Sequence, residues 1–536
     1  MVTRTKFVVD RVKLAELSSV SATNNSRSER EELKEIDEEK MEVSSLLLPS
    51  ILLFSFLFSA LCLFFKQDPT RKPTKSTVLK GYPIIGNLPL YIKNVQRIVY
   101  WVAELTLASP TGTVTVDSFV FTANPSNVEH LTRTNFDNYP KGDSILATFH
   151  DFLGRGILNA NGEDWLIQRK AASFDFNTKS LRAFVHDKVR RQTSDILIPL
   201  LRKASRSGEV LDLQDVLERF AFDNICKLVL DKDPRCLSRG SEEGEQFYHA
   251  FLETSVLSVQ RTLTPFSLMW KLGKLLDFGR ERRLRKSREI VLQFVQKCVK
   301  SRRGRSGSGG GSDFLSRLVA DGSHSDEFIR DIMISFVIAG GDTTPSALTW
   351  FFWVLSSKPE VVEKIREEIK LVRSRHGDSE SEVLTLDGLR EMRYLHAAVS
   401  ESMRLHPPAP LLSRECREED ELPDGTRVGK GWTVMYCAYA MGRAEGIWGQ
   451  DCAEFRPERW MEDGAFQPAS PFRYSVFHAG PRMCLGKDMA YIQIKAVAAS
   501  ILERFDVEVV EERGELQIST TMRMVGGLPV RVRERK

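Results

Sequence analysis

One cysteine lies in a segment that distinguishes it from the other seven cysteines of this 536-residue chain. Residues 477–486 read FHAGPRMCLG, so that one glycine precedes Cys484 by four residues and another follows it by two. No cysteine belongs to a CxxC pair, and the spacing of the eight fits neither a disulfide framework nor a tetrahedral zinc set. Such a cysteine is either a thiolate ligand of a metal or an inert buried side chain. Taken alone, the segment leaves both interpretations open.

An acid and two alcohols lie in the middle of an apolar stretch, residues 328–355, that is long enough for one buried helix. The central residues 339–344 read AGGDTT. Glycine weakens a helix and threonine hydroxyls can bond to the preceding turn, so we predict a local opening that can hold oxygen and water. Without other support, a kinked core helix explains the motif equally well.

The cysteine segment fits the pattern FxxGxRxCxG and resembles the haem-binding loop of cytochrome P450 enzymes. The odds of matching five fixed positions by chance in this chain are on the order of 10⁻⁴. The resemblance implies that Cys484 is the axial thiolate of a haem iron, which pushes electron density toward bound oxygen. It also implies that Gly480 and Gly486 allow close backbone approach and aim amides at the sulfur, that Phe477 covers the loop, and that Arg482 pairs with a haem propionate.

The same resemblance assigns roles to other motifs. In this family an acid–alcohol pair relays protons to the oxygen, and Asp342 and Thr343 match that pair. Members that only rearrange peroxides commonly lack it, which disfavours an isomerase or dehydratase. WLIQR resembles a helix in which side chains matched by Trp165 and Arg169 donate to a propionate, and Arg414 is a further candidate, although arginine is ordinarily a surface residue. Two or three cations suit a buried dianionic cofactor.

Glu401 and Arg404 share one helix face because they are three residues apart. A pair on an exposed helix surface contributes only about 0.2–0.5 kcal/mol. FRPERW, residues 455–460, contains Arg459, which matches the third member of a Glu-Arg-Arg triad in the resembled family. The resemblance implies that this triad holds the scaffold of the haem loop.

Residues 46–65 form an apolar run of twenty residues without a charge, the length that a helix needs to cross about 30 Å of hydrocarbon. We predict one transmembrane anchor; a cleaved signal peptide or a core helix is the alternative. Residues 66–90, with five Lys or Arg residues and GYPIIGNLP, are predicted to be a stiff hinge on the cytosolic side. Residues 1–45 are predicted to be a disordered polar extension, and the charge bias becomes strong if translation starts at Met41.

The remaining chain, residues 91–536, shows no composition break and is predicted to be one large haem domain. Residues 113–123 read TVTVDSFVFTA and predict a β-hairpin. Helical periodicity covers residues 181–202, 281–300 and 359–373. The predicted fold class is therefore mainly α with a small β part, and the resemblance implies the cytochrome P450 fold.

Composition excludes few classes: the net charge of +4 is small for this length and indicates neither a nucleic-acid partner nor an acidic substrate. The unpaired cysteines indicate a reducing compartment. Residues 301–312, SRRGRSGSGGGS, are predicted to be a solvated loop between two helices, with RNA binding as the alternative.

From Gly81 onward, segments such as NYPKG, LPDGT, AYAMGR and IWGQD are similar to plant fatty-acid hydroxylases. The resemblance implies hydroxylation at or near the end of a fatty-acid chain, driven by NADPH through cytochrome P450 reductase in the endoplasmic reticulum membrane. Relatives that oxidise jasmonoyl-amino-acid conjugates or sterol side chains leave those substrates open, and a non-catalytic haem or lipid carrier is the alternative from another class. A glutamate that esterifies haem in another hydroxylase group is Ala339 here, so we expect haem b without a covalent link.

The substrate pocket is predicted to be apolar, as a lipid-like ligand requires. Its candidate lining is the loop from Ile145 to Ile157, the helix near Phe336, and the segments Pro410–Leu412 and Met522–Val525. Each of these residues taken singly is equally well explained as ordinary core.

Overall fold

Helices form most of the structure, a computed structural model that describes residues 77–176, 188–304, 314–376, 383–511, 514–517 and 519–536. The first α-helices are α1 Leu88–Asn94, α2 Ile98–Ala108, α3 Pro125–Glu129, α4 Asp143–Leu153, α5 Gly162–Phe176, α6 Ile198–Ser207, α7 Leu213–Val229, α8 Glu242–Thr262 and α9 Ser267–Leu275. The others are α10 Gly279–Gly304, α11 Phe314–Asp321, α12 Asp326–Leu355, α13 Pro359–His376, α14 Leu386–Glu391, α15 Arg393–Leu405, α16 Ala438–Met441, α17 Glu445–Trp448 and α18 Lys487–Arg504. The predicted fold class, mainly α with a small β part, is confirmed for the described residues.

The strands are short. In chain order they are β1 Thr77–Val78, β2 Thr113–Val116, β3 Phe119–Thr122, β4 Val210–Asp212, β5 Leu411–Glu415, β6 Asp420–Glu421, β7 Arg427–Val428, β8 Thr433–Cys437, β9 Met461–Glu462, β10 Ala465–Phe466, β11 Phe505–Val509, β12 Leu516–Gln517, β13 Arg523–Met524 and β14 Pro529–Glu534. One sheet has the order β1-β2-β3-β8-β5, a second has the order β11-β14-β4, and the other strands form pairs. β2 and β3 are antiparallel around Asp117, which confirms the predicted hairpin.

Three further predictions concern helices and their limits. α10 and α13 contain the predicted helical segments 281–300 and 359–373, and the described part of 181–202 is also helical. The start of the predicted flexible loop is wrong, because residues 301–304 continue α10 for one more turn. The rest of that tract, residues 305–312, lies outside the described residues.

The long helix α12 runs without interruption for 30 residues, so the predicted opening at residues 339–344 is not present in its secondary structure. The Ser325 hydroxyl caps its start by accepting from the amide of Phe328 at 3.2 Å. The Thr343 hydroxyl does bond back to the Ala339 carbonyl, at 2.7 Å. Pro345 within the helix has no N–H to donate, which removes one helical hydrogen bond without breaking the helix.

The two glycines of AGGDTT serve helix packing. A Cβ atom on Gly340 would lie 2.7 Å from Cδ1 of Ile225 in α7, and one on Gly341 would lie 3.5 Å from Cδ2 of Phe222. A larger residue at Gly340 would therefore push α7 away from α12. The close contact of these two helices, rather than a gap in α12, explains Gly340, whereas a Cβ atom on Gly341 would make an ordinary van der Waals contact.

The chain before residue 77 carries several predictions that lie outside the described residues. These are the extension 1–45, the anchor 46–65 and the first part of the hinge 66–90. No helix in the part that the structure describes is long and apolar enough to span a bilayer. Residues 77–90 contain β1, which pairs in parallel with β2, and the first residues of α1. The domain boundaries remain predictions.

A buried cluster around Glu401 joins α15 to the segment before the cysteine loop. Arg404 donates to both carboxylate oxygens of Glu401, at 2.7 and 2.8 Å, and both side chains have 0% exposure. Arg459 approaches the same carboxylate at 3.3 Å, and the indole of Trp460 donates to it at 2.9 Å. These contacts confirm the Glu-Arg-Arg cluster that the resemblance implied.

The cluster also orders the backbone near the cysteine loop. Guanidinium nitrogens of Arg404 donate to the carbonyls of Gly442, Cys452 and Glu454, so one side chain holds three separate turns. Arg459 donates to Asp451 Oδ1 at 3.0 Å. Because the donors and acceptors are mutually satisfied, removing one partner leaves a buried charge without compensation.

We expect Arg404→Ala to destabilise the protein by about 3–5 kcal/mol, because it strands the buried Glu401 carboxylate. Arg390→Ala is the matched control: Arg390 pairs with Asp387 at the same i, i+3 spacing, but the two side chains are 48% and 75% exposed. An exposed pair contributes about 0–1 kcal/mol. Thermal unfolding of the full-length protein measures both, and similar melting temperatures for the two variants would contradict the argument.

Candidate active site

The loop that carries Cys484 is fixed by its own backbone and begins a helix. The amide of Cys484 donates to the carbonyl of Phe477 at 2.8 Å, and the amide of Met483 donates to the carbonyl of Gly480 at 3.0 Å. α18 starts at Lys487, three residues after the cysteine. The loop thus presents the sulfur immediately before a helix N-terminus, where the amides of a first turn favour negative charge.

Glycine stands at positions 480 and 486 for different physical reasons. Gly480 has a φ of +66°, and a Cβ atom there would lie 1.7 Å from the carbonyl oxygen of Thr132, so glycine is required. Gly486 lies beside the sulfur: a Cβ atom there would be 3.9 Å from Sγ of Cys484. Phe477 is half-buried and its ring lies 5.2 Å from that of Tyr491. The expected roles of these three residues toward a haem remain predictions.

Burial of Cys484 and the groups beside it shift the pKa of its thiol in opposite directions. The residue is exposed, yet its sulfur sits in a recess among protein atoms, and desolvation there raises the pKa of the thiol. The Gly486 amide, which hydrogen-bonds to the sulfur, and the charges of Arg169 and Lys487 lower that pKa. Burial outweighs these groups, so the pKa of the thiol lies above its ordinary value, and the amide and the two cations offset part of the cost of a thiolate.

Arg482, Arg169 and Arg414 lie near one another and form a cationic cluster. Arg482 donates to the carbonyl of Ala160 at 3.0 Å, and its guanidinium lies 4.4 Å from the centre of the Trp165 ring. Burial, together with the charges of Arg414 and Arg169, lowers the pKa of Arg482 to about 9. The structure therefore brings together four of the residues that the sequence predicts to bind cofactor.

Two more residues, Lys141 and His478, belong to this cluster and were not predicted from the sequence. The ammonium of Lys141 donates to the carbonyl of Leu158, and burial together with Arg482 and Arg414 lowers its pKa well below the ordinary value. Burial and the neighbouring cations lower the pKa of His478 to about 3, so this imidazole is neutral. Lys141 lies in NYPKG, which was noticed only as a family-like segment.

The cluster fits a ligand with more than one negative charge. Among the described residues, Lys141, Arg169, Arg414 and Arg482 form no salt bridge with a carboxylate. The Nε atoms of Arg414 and Arg482 and Nδ1 of His478 are buried without a hydrogen-bond partner there. Such arrangements are unfavourable unless an anion compensates them. The two propionates of a haem would supply that compensation.

Asp342 and Thr343 point to different surroundings. The Thr343 hydroxyl stays on α12, bonded to Ala339, whereas Asp342 accepts a hydrogen bond from the hydroxyl of Thr520 at 2.7 Å. Burial raises the pKa of Asp342, while Thr520, Arg523 and Ser255 lower it. In the described structure no direct hydrogen bond joins the Asp342 and Thr343 side chains, and their predicted relay role remains a prediction.

A cavity of about 690 Å³ lies beside this cluster. Its wall includes Ile145 and Phe149 of α4, Pro410 and Leu411, which agrees with two of the predicted lining segments. Arg414 and Thr520 also line it, so the cavity reaches both the cationic cluster and the residue that holds Asp342.

Other predictions of the lining are wrong. The segment from Ile145 is mostly the helix α4 rather than a loop. Phe336 is 7% exposed and packs edge-on against Phe314, with ring centres 5.0 Å apart. Met522 and Met524 are buried in the core. These side chains are apolar because they pack between helices, which the sequence pattern does not distinguish from lining a cavity.

Comparison with known proteins identifies the class. The model of the cytochrome P450 family matches residues 77–532. The chain therefore belongs to the cytochrome P450 family and is a P450 monooxygenase. Members of this family hold a haem through a cysteine thiolate and receive electrons from a redox partner.

Particular relatives are plant proteins. Cytochrome P450 CYP94D108 of Paris polyphylla is 51% identical over 474 residues, which cover 88% of this chain and 94% of that protein. Cytochrome P450 94C1 of Arabidopsis thaliana is 44% identical, with 83% and 90% covered. Cytochrome P450 94A1 of Vicia sativa is 40% identical, with 86% and 91% covered. The chain thus resembles plant cytochrome P450 proteins with the number 94 in their names along nearly its whole described length.

We expect Arg414→Gln to have opposite effects on the haem-free and haem-loaded protein. Removing one cation relieves repulsion in the cluster, so the melting temperature of the haem-free protein should rise. A charge-assisted hydrogen bond is worth about 1.5–3 kcal/mol, so haem should leave the variant roughly tenfold or more faster.

Haem transfer to excess apomyoglobin measures the release, and thermal unfolding of the haem-free protein measures the stability. Arg427→Gln is the control, because Arg427 is 65% exposed and lies outside the cluster. Unchanged haem release from Arg414→Gln would contradict the assignment of Arg414 to the cofactor.

Proposed function

We propose that this monooxygenase hydroxylates the hydrocarbon chain of a fatty acid at or near its end. The observation that carries the proposal is the cavity of about 690 Å³, with a wall that is mostly apolar, extending to Arg414 of the cationic cluster. Its size suits a lipid-like molecule, since ligand pockets commonly measure about 300–1,000 Å³. The resemblance to plant fatty-acid hydroxylases points to the same substrate class.

Residues of this chain would hold the cofactor in defined ways. Cys484 would bind the iron, with its negative charge stabilised by the Gly486 amide, Arg169 and Lys487. Arg482 and Arg414, with nitrogens that have no partner in the described structure, would bind the propionates. When bound, haem supplies the iron at which oxygen is reduced and the C–H bond is oxidised. Ala339 offers no carboxylate for esterification, so the haem would be haem b held without a covalent link.

The charges around the cavity explain why the chain end would be oxidised. Arg261 lines the cavity, but it forms ion pairs with Asp151 at 2.8 Å and with Glu281. Its charge is therefore already balanced, and a haem propionate would balance that of Arg414, so neither arginine would draw a carboxylate into the cavity. The fatty-acid carboxylate would remain at the solvent end while the methyl end enters toward the cysteine.

Electrons and location follow from the sequence. NADPH would supply electrons through cytochrome P450 reductase, as the resemblance implies. The apolar run at residues 46–65 would anchor the protein in the endoplasmic reticulum membrane by a single span, with the catalytic domain in the cytosol. Membrane lipid would then be the source of an apolar substrate, and no nucleic-acid partner is proposed.

We expect Cys484→Ala to abolish the red-shifted band that a thiolate-ligated haem gives in the reduced carbon monoxide difference spectrum. Cys298→Ala is the matched control, because Cys298 is also a free cysteine but lies in α10, far along the chain from the loop. The control should keep the band. A normal band in Cys484→Ala would contradict the assignment of the iron ligand.

We expect affinity to rise with substrate chain length until the cavity is filled. Each buried methylene contributes about 0.8 kcal/mol, which is roughly a fourfold change in the dissociation constant. Val259 lines the cavity, so the larger side chain in Val259→Phe should fill part of it. The affinity of this variant for fatty acids should therefore level off at a shorter chain. Val210→Phe, at an exposed position of β4, should leave the series unchanged.

Spectral titration with saturated fatty acids of increasing length measures these affinities, and methyl esters test the head group. An ester should bind within about threefold of its acid, because an exposed carboxylate gains little from distant charges. Tighter binding of a jasmonoyl-amino-acid conjugate or a sterol than of every fatty acid would overturn the proposed substrate. Binding without NADPH-dependent product in the presence of reductase would favour a carrier.

A further inference from the structure

A chain of hydroxyl groups leads from half-buried Asp342 of α12 toward the buried acid Glu218 of α7. The Thr520 hydroxyl donates to Oδ2 of Asp342 at 2.7 Å, and the Ser255 hydroxyl of α8 lies 3.2 Å from the Thr520 hydroxyl. Because Thr520 donates to the carboxylate, its oxygen is free to accept the proton of Ser255. This gives a continuous path in one direction, from Ser255 through Thr520 to Asp342.

A small cavity extends this path toward Glu218 of α7. The cavity measures about 10 Å³ and is lined by Glu218, Ser255, Asp342 and Arg523, among others. A space of this size, with carboxylate, hydroxyl and guanidinium groups on part of its wall, suits one water molecule. One water there can contact both Ser255 and the Glu218 carboxylate.

The surroundings of Glu218 allow its proton to exchange near neutral pH. Arg523 donates to its two oxygens at 2.7 and 2.6 Å, and the Tyr248 hydroxyl of α8 lies 3.4 Å away. Burial raises the pKa of Glu218 to about 7, opposed by Arg523 and assisted by the charges of Asp342 and Asp212. An acid with this pKa is present in both protonation states near neutral pH.

We propose that Ser255, Thr520 and Glu218 form the proton supply of Asp342. The proposal rests on the proposed monooxygenase function and on the predicted role of Asp342 as the acid that relays protons to oxygen. It adds three residues, from α7, α8 and the segment before β13, that no motif in the sequence marks.

The proton balance is simple. When Asp342 has passed on a proton, the Thr520 hydroxyl gives its proton to Oδ2 and takes one from Ser255. Ser255 takes one from the water, which takes one from the Glu218 carboxyl group. Glu218 recovers its proton from solvent beside Arg523, the side chain of which is 22% exposed. No electron moves along this path, and the reductase supplies both electrons.

The test uses the full-length, haem-loaded enzyme with its reductase and measures product formed per NADPH consumed. Thr520→Val and Ser255→Ala should lower this coupling about tenfold, with more hydrogen peroxide released. The effect is smaller than the roughly 10²- to 10⁴-fold contribution of a positioned acid because water can partly replace a hydroxyl. Thr520→Ser keeps the hydroxyl and should restore coupling.

Ser258→Ala is the matched control for Ser255→Ala. Ser258 lies one turn further along α8, is also buried, and donates only to the carbonyl of Thr254 in its own helix. Coupling in this variant should match that of the unmodified enzyme. Equal losses in the two variants would show a general packing effect and overturn the proposal.

Turnover driven by an added organic hydroperoxide separates the path from the function on which it rests. This reaction needs no proton delivery to oxygen, so Thr520→Val and Ser255→Ala should retain it. A loss of hydroperoxide-driven product equal to the loss of NADPH-driven product would overturn the path. Absence of hydroperoxide-driven and NADPH-driven product in the unmodified enzyme would instead overturn the proposed function.

A second measurement does not depend on activity. The infrared band of protonated carboxyl groups should contain a component that titrates near pH 7 and disappears in Glu218→Gln. Glu218→Gln should also remove the part of the coupling that declines as pH rises through 7, since the ionised acid has no proton to give. A band that is identical in the variant, or an unchanged pH profile, would overturn the role of Glu218.

Discussion

The buried ion pair of Glu401 and Arg404 is the interaction on which the geometry of the site depends. Arg404 uses its donors on one carboxylate and three backbone carbonyls, and thereby fixes turns that are distant in sequence. Trp460 and Arg459 complete the shell of the carboxylate. A hydrophobic pair of equal volume would fill the space but would not dictate where those carbonyls lie. Charge is used here for position rather than for stability alone.

The cationic cluster is the opposite case of buried charge. Burial and the charges of Arg482 and Arg414 lower the pKa of Lys141, and no carboxylate pairs with these three residues in the described structure. Such an arrangement destabilises the haem-free protein. It would become favourable when an anion with two carboxylates enters, so cofactor binding and folding would be coupled. The Glu401–Arg404 ion pair thus fixes the geometry of the site, whereas the cationic cluster would bind the cofactor.

The sequence predicted the parts of this structure that depend on local pattern. The hairpin around Asp117, the long helix α12 and the loop of Cys484 follow from alternation, apolar length and a dense motif. Prediction from the sequence failed where a residue's role depends on neighbours that are distant in the chain. The glycines of AGGDTT looked like a break in the helix, but Ile225 of α7 explains Gly340. Lys141 joins the cluster only because the chain folds it beside Arg482.

The position of Asp342 shows the same limit and has a functional consequence. The motif places an acid beside an alcohol in sequence, yet successive residues of a helix point about 100° apart, so Asp342 and Thr343 have different neighbours. Asp342 is held by Thr520, a residue that also lines the substrate cavity. A molecule that fills the cavity therefore contacts the side chain that holds the acid. If the proposed proton path operates, substrate occupancy and proton supply would be linked through one hydroxyl group, which would favour oxygen reduction when there is a C–H bond to oxidise.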